Sequence, residues 1–248
     1  MTDIESAVGL QESRPSPPRQ MAMTKVPEIV RNFHVPSKAP SLTRQIIFSA
    51  SQHLAGRDPH LARLFTKNGA PPLWARRPGF TTLIQIILEQ QVSLSSAASM
   101  FRRLKDKIAP FTPGRFVELG EAYLRSLGLT RQKSGYCVQL AGSIVARELS
   151  LPSLVSMRDL EARAELMRIK GIGMWSADIY LLMALRRPDI WPSGDVALIS
   201  TVTTIKGLRT RPDAGQLLRI AERWRPFRAV AARMLWHHYL TQRKSRSR

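Results

Sequence analysis

Only one cysteine, Cys137, occurs in the 248 residues. A lone thiol cannot close an intramolecular disulfide. Nor can it supply the several thiolates that an iron–sulfur cluster or a thiolate zinc site takes from one chain. A reducing compartment is the expectation. There is no run of eighteen or more apolar residues, and no cationic N-region leading into an apolar segment. Neither a membrane span nor an export signal is therefore expected. Strand-like alternation of apolar and polar residues is missing too. Acids are scarce: 18 Asp and Glu face 38 Lys and Arg, leaving a formal charge of +20. That balance favours polyanionic partners, nucleic acid first, and a membrane surface finds no apolar segment to accompany it.

What the chain does have is a helical pattern and enough apolar residues, 44%, to fill a core for one domain or two small lobes. Residues 1–40 hold the Pro- and Ser-dense stretch Ser13 to Arg19 without a sustained apolar period, which predicts a disordered arm. From Ser41 onward apolar residues recur at helical spacing, as in Phe80, Leu83, Ile84, Ile87 and Leu88, or Phe227, Val230, Ala231, Met234 and Leu235. Thr112 and Pro113 suit an N-cap and first helical residue, and Gly128 suits a helix end. The expectation is an all-α protein of about ten helices.

The segment IKGIGMWSADIYLLMAL at 169–185 is the most informative. A charged helix, Asp159 to Arg168, runs into Gly171-Ile172-Gly173, and a second helix begins at once. Two glycines spaced by one residue permit a tight turn and leave the backbone bare. Amides at Met174 and Ser176 can then meet a phosphate. A glycine turn alone is also an ordinary corner between helices. Asp195 follows Pro-Ser-Gly and precedes another apolar-periodic segment, the setting of an ordinary N-cap.

Together these segments resemble the helix-hairpin-helix DNA glycosylase superfamily. Asp195, 22 residues beyond Gly173, falls where that family places its catalytic aspartate. LEQQVS at 88–93, GLTRQKSGYCVQLA at 128–141 and AERWRPFRAVAARMLWHHY at 221–239 match in order and point to the DNA-3-methyladenine glycosylase II, or AlkA-like, branch. The resemblance spans roughly residues 41–240. Lys170 departs from the proline common before the first glycine, and the β-rich N-terminal domain of some relatives is not expected here.

The resemblance implies a two-lobed fold with the active site in the cleft between lobes. Residues 41–80 and 191–248 would form one lobe and residues 81–190 the other, ending in the hairpin. It implies a catalytic role for Asp195 and a base pocket lined by Trp175 and Trp236. Ile179 replaces a pocket tyrosine of relatives, with Tyr180 adjacent. Gln90 and Gln91 match the wedge segment that enters the gap left by an extruded base. Gln91 also continues the apolar stripe from Phe80. The hairpin Gly171, Ile172, Gly173, Met174 and Ser176 would bind DNA, and carbonyls of Met167, Ile169 and Gly171 would hold a structural Na⁺ or K⁺. No other cofactor is implied. Bifunctional relatives carry a lysine two residues after the second glycine, and Trp175 stands there instead. Water would then be the nucleophile, without strand cleavage.

The expected partner is double-stranded DNA containing damaged bases, bound by a monomer without membrane association. The place would be the nucleoid-associated cytoplasm of a bacterium or the nucleus of a eukaryote. Three functions fit the residues: a monofunctional glycosylase for alkylated bases, one for deaminated or oxidised bases, and a non-catalytic DNA-binding hairpin protein. Asp195 speaks against the last, because an anion facing DNA weakens binding. Asp178 is a rival acid in the first turn after the hairpin, where solvated acids are common. Lys133 and Tyr136 read as structural.

Overall fold

The computed structural model describes residues 41–246, so the arm expected over residues 1–40 lies outside the described residues. Eleven α-helices and one 3₁₀ turn make up the described fold, with no strand among the described residues. In chain order the helices are α1 (Arg44–Arg57), α2 (Pro59–Asn68), α3 (Phe80–Glu89), α4 (Leu94–Lys107), α5 (Pro113–Ser126) and α6 (Arg131–Val145). They continue with α7 (Asp159–Met167), α8 (Met174–Met183), α9 (Val196–Ile205), α10 (Ala214–Glu222) and α11 (Arg228–Arg246).

Local chemistry sets most helix starts. Side-chain oxygens of Thr43, Asp58, Ser93, Thr112, Thr130, Asp195 and Asp213 accept from backbone N–H groups in the first turn that would otherwise be orphaned. Pro59 and Pro113 stand at first-turn positions, where a missing N–H costs nothing.

The central helix is α3. Phe80, Leu83, Ile84, Ile86, Ile87 and Leu88 are all buried, and α3 packs on α4, α6 and α8. Each such side chain contributes roughly 1.5–3 kcal/mol of transfer free energy before conformational entropy is subtracted. The stripe Phe227, Val230, Ala231, Met234 and Leu235 is likewise buried, on and just before α11, which packs on α1, α2 and α9.

Two buried arginines join distant parts of the chain. Arg233, on α11, donates from Nε to Leu73 O (3.0 Å) and from its terminal nitrogens to Ala229 O (3.0 Å) and Leu182 O (2.8 Å). Burial pulls its pKa down to about 9, still above neutrality, so the cation persists. Arg187 donates to the carbonyls of Leu154, Val155 and Met157. Arg233 therefore ties α11 to the end of α8 and to the segment before α3. No helix among the described residues is long and apolar enough to cross a membrane.

Candidate active site

The hairpin turn depends on one glycine for its shape and offers another to the surface. Gly171 lies at φ +90°, and a Cβ there would stand 2.2 Å from the Tyr136 ring. Only glycine fits both the conformation and the space. Gly173 has φ −86° and ψ −179°, caps α8 without a side-chain bond, and would meet nothing within 4 Å if it carried a Cβ. The first amides of α8, at Met174, Trp175 and Ser176, are the orphan donors of a helix start. Met174 is exposed while Ile172 is buried, so the turn is anchored by Ile172 and open at Met174.

Gln90 holds this turn from α3. Its Nε2 donates to Gly171 O and to Ser176 Oγ, both at 2.8 Å. That amide is committed to the hairpin, so Gln90 braces the turn from the end of α3. Gln91 is exposed, but α3 ends at Glu89 and Gln91 has φ +57°, so it does not continue the apolar stripe. The helical extrapolation failed because Gln90 leaves the helix in an extended conformation. Lys133 Nζ donates to Leu88 O at 2.7 Å, satisfying a carbonyl at the end of α3, and Tyr136 packs against Gly171.

Asp195 is presented by a tight turn. Gly194 adopts φ +84°, Ser193 N donates to Trp191 O (2.9 Å), and Asp195 then caps α9 through Oδ1, which accepts from Leu198 N at 3.0 Å. Two indoles converge on the same carboxylate. Trp236 Nε1, from α11, donates to Oδ1 at 3.0 Å, and Trp175 Nε1, from α8, donates to Oδ2 at 3.0 Å. The half-buried carboxylate thus sits where the hairpin helix, the C-terminal helix and the start of α9 meet.

The neighbours divide differently from the sequence expectation. Ile179, one turn below Trp175, is 4% exposed. Tyr180 is fully buried and its hydroxyl accepts from Gly79 N at 3.0 Å, so it is a packing residue at the start of α3 and not a pocket wall. Asp178, the rival acid, is buried against Arg163 (2.6 Å). Burial pushes its carboxyl up to about 6, against the pull of Arg163. Its hydrogen-bond partner is Arg163, and the indoles of Trp175 and Trp236 go to Asp195 instead. The Cys137 thiol is buried and pushed up to about 12, which makes it inert.

Of the carbonyls expected to hold a cation, Ile169 O accepts from Ile172 N (3.0 Å) and Gly171 O from Gln90 Nε2 (2.8 Å). Each keeps a second lone pair, and neutral oxygen donors suit an alkali cation. The basic C-terminal stretch is less open than its composition suggests. Arg225 and Arg228 pair with Asp189 and Glu222, and Arg233 is buried. Nothing in a run of basic residues distinguishes Arg233 as the buried one, so its role was not legible. Neither was the bond from Gln90 to the hairpin, which spans 81 residues.

The site is thus an all-helical one, in which a glycine hairpin leads into the helix whose indole, with a second from α11, holds the capping aspartate. Residues 84–226 match the pattern of the HhH-GPD superfamily base excision DNA repair proteins, and the chain belongs to that superfamily. Two Bacillus subtilis proteins are similar to it. YfjP is 27% identical over 184 residues, covering 71% of this chain and 64% of its own length. A DNA-3-methyladenine glycosylase is 28% identical over 169 residues, covering 63% of this chain and 56% of its own. The chain therefore spans less than two-thirds of the length of these relatives. Among solved structures, the Schizosaccharomyces pombe 3-methyladenine DNA glycosylase in complex with abasic DNA superposes with a TM-score of 0.69 at 24% identity. That match covers 75% of this chain and 94% of the other.

Proposed function

We propose that this protein is a monofunctional DNA glycosylase that extrudes an alkylated base of the 3-methyladenine or 7-methylguanine type and hydrolyses its N-glycosidic bond. The observation that carries the reading is the Asp195 carboxylate, capped onto α9 and held by the indoles of Trp175 and Trp236. Breaking the glycosidic bond builds positive charge on the sugar, and a fixed carboxylate beside C1′ stabilises that charge. An alkylated purine is itself cationic and departs readily. A cation over an indole face gains about 0.5–2 kcal/mol, which suits a site built from two tryptophans.

The hairpin amides at Met174, Trp175 and Ser176 would receive a backbone phosphate, and Gln91 at the exposed turn after α3 would fill the gap in the stack. Trp175 occupies the place where bifunctional relatives carry a lysine and has no amine with which to form a Schiff base, so the product would be an intact abasic strand. Hairpin carbonyls Met167, Ile169 and Gly171 would hold a monovalent cation through their remaining lone pairs. The names of the relatives support alkylated bases as the substrate class. The protein would act as a monomer on damaged duplex DNA. The test is to incubate it with methylated DNA, identify released bases by mass spectrometry, and repeat with hypoxanthine- and uracil-containing duplexes. Release of methylated purines is expected. Release only from the other duplexes would reassign the pocket to deaminated bases.

A further inference from the structure

The two oxygens of Asp195 are not equivalent. A carboxylate oxygen has two acceptor sites. Oδ1 fills both, with Leu198 N and Trp236 Nε1, each at 3.0 Å. Oδ2 accepts only Trp175 Nε1, at 3.0 Å, among the described residues. One lone pair, on Oδ2, is therefore left by the protein. The three donors come from three helices, α9, α11 and α8, so the carboxylate is fixed in rotation as well as in place.

We infer that Oδ2 is the reacting oxygen, and that Trp175 and Trp236 are positioning residues whose indole N–H groups hold it toward the sugar. The inference rests on the glycosylase reading of the site. The glycosidic C1′–N bond breaks with its electron pair leaving on the base, so a cationic alkylated base departs neutral and C1′ carries the positive charge. A water oxygen then bonds to C1′, and its proton passes to the free lone pair of Oδ2 and on to solvent. Oδ1 cannot take that proton without giving up a hydrogen bond.

The geometry also divides labour within each tryptophan. The N–H edges are committed to Asp195, and since Trp236 is only 9% exposed, the half-buried Trp175 offers the ring face on which a flipped base can stack. Trp175 has a further property. It lies in the first turn of α8, two residues from Gly173, and the carboxylate oxygen it holds is Oδ2. Docking of the hairpin on a phosphate and aiming of Oδ2 are thus carried by the same helical turn. Trp236 belongs to α11, which Arg233 ties to the end of α8 through Leu182 O. The two helices that carry the indoles are in this way tied to one another.

The test removes each N–H while keeping an aromatic face, with Trp175→Phe and Trp236→Phe. Benzothienylalanine, which carries sulfur in place of the indole N–H, replaces each tryptophan should a Phe variant fail to fold. Two quantities are read on folded protein: the single-turnover rate of base release, and the ratio of affinities for duplexes holding a cationic pyrrolidine or a neutral tetrahydrofuran abasic analogue. The ratio reports how well the negative charge is aimed at the position of C1′. Each variant should lose about tenfold in rate and a similar factor in the ratio, as expected for one hydrogen bond to a charged group. Affinity for the neutral analogue should stay within about twofold. If Asp195→Asn abolishes the ratio while both indole variants keep wild-type ratio and rate, the positioning role is wrong and the active-site reading stands. A rate loss at unchanged ratio assigns the indoles to base contact alone and likewise overturns the inference. If Asp195→Asn itself retains the wild-type preference, the active-site reading fails.

Discussion

A β-carbon on Gly171 would stand 2.2 Å from the Tyr136 ring, whereas one on Gly173 would meet nothing within 4 Å. The two glycines of the hairpin therefore do different work, and single substitutions separate them. Gly171→Ala combines a disfavoured φ of +90° with overpacking, and a loss of about 1–3 kcal/mol in chemical denaturation is expected. Adding Tyr136→Ala should recover part of that loss. Gly173→Ala should cost no more than a few tenths to about 1 kcal/mol. It should weaken binding to an abasic-analogue duplex at unchanged net charge, because a methyl group then stands where a phosphate approaches the α8 amides. Wild-type affinity in a folded Gly173→Ala variant would remove the hairpin from phosphate recognition.

Asp195→Asn retains the shape of the cap and removes the charge. Base release should fall by at least 10²-fold, the cost of losing a principal electrostatic stabiliser. Duplex affinity should hold, since phosphate contacts are untouched. Stopped-time assays on methylated duplex measure the first and fluorescence anisotropy the second. Turnover within about threefold of wild type would transfer the chemistry to another group.

Strand chemistry gives an independent check, because Trp175 cannot form an imine. Borohydride added during turnover should trap no protein–DNA adduct, and the strand should break only after alkali or heat. An adduct lost on substituting one specific lysine would show that an amine reaches C1′ after all.

The periodicity of α3 and α11 was legible because apolar residues at helical spacing report burial directly, and all ten stripe residues are buried. The cap formed by Asp195 was legible from the Pro-Ser-Gly before it and the apolar-periodic segment after it. Less accessible were contacts set by chain reversal. Gln91 fell off its predicted stripe because α3 ends at Glu89, an event that a capping lysine 45 residues downstream helps to fix. Tyr180 looked like a pocket residue from its neighbour Ile179, yet successive helical residues point about 100° apart, and its ring turned toward Gly79. The tryptophans were expected to offer faces. Which way an indole edge points depends on a partner distant in sequence, here the carboxylate of Asp195, and no spacing encodes that.

Asp178 gives a pH dependence whose sign is fixed by burial. Its carboxyl is 1% exposed and is pushed from 3.8 to about 6, despite Arg163 at 2.6 Å. The folded protein therefore holds this proton more tightly than the unfolded chain does. The stability it contributes is fully present below about pH 4 and is lost as pH rises through about 6. The ceiling of the effect is about 3 kcal/mol, from the size of the shift. Asp178→Asn removes the titration, while Arg163, whose side chain is 22% exposed, can still reach water. Thermal unfolding of both proteins between pH 4.5 and 7.5 makes the comparison, with groups common to both cancelling in the difference. The wild type should lose ground to the variant as pH rises, with most of the change between pH 5 and 7. A difference that instead stays flat over that range would mean that the ion pair with Arg163 offsets desolvation and that Asp178 is already charged in the folded state well below pH 5.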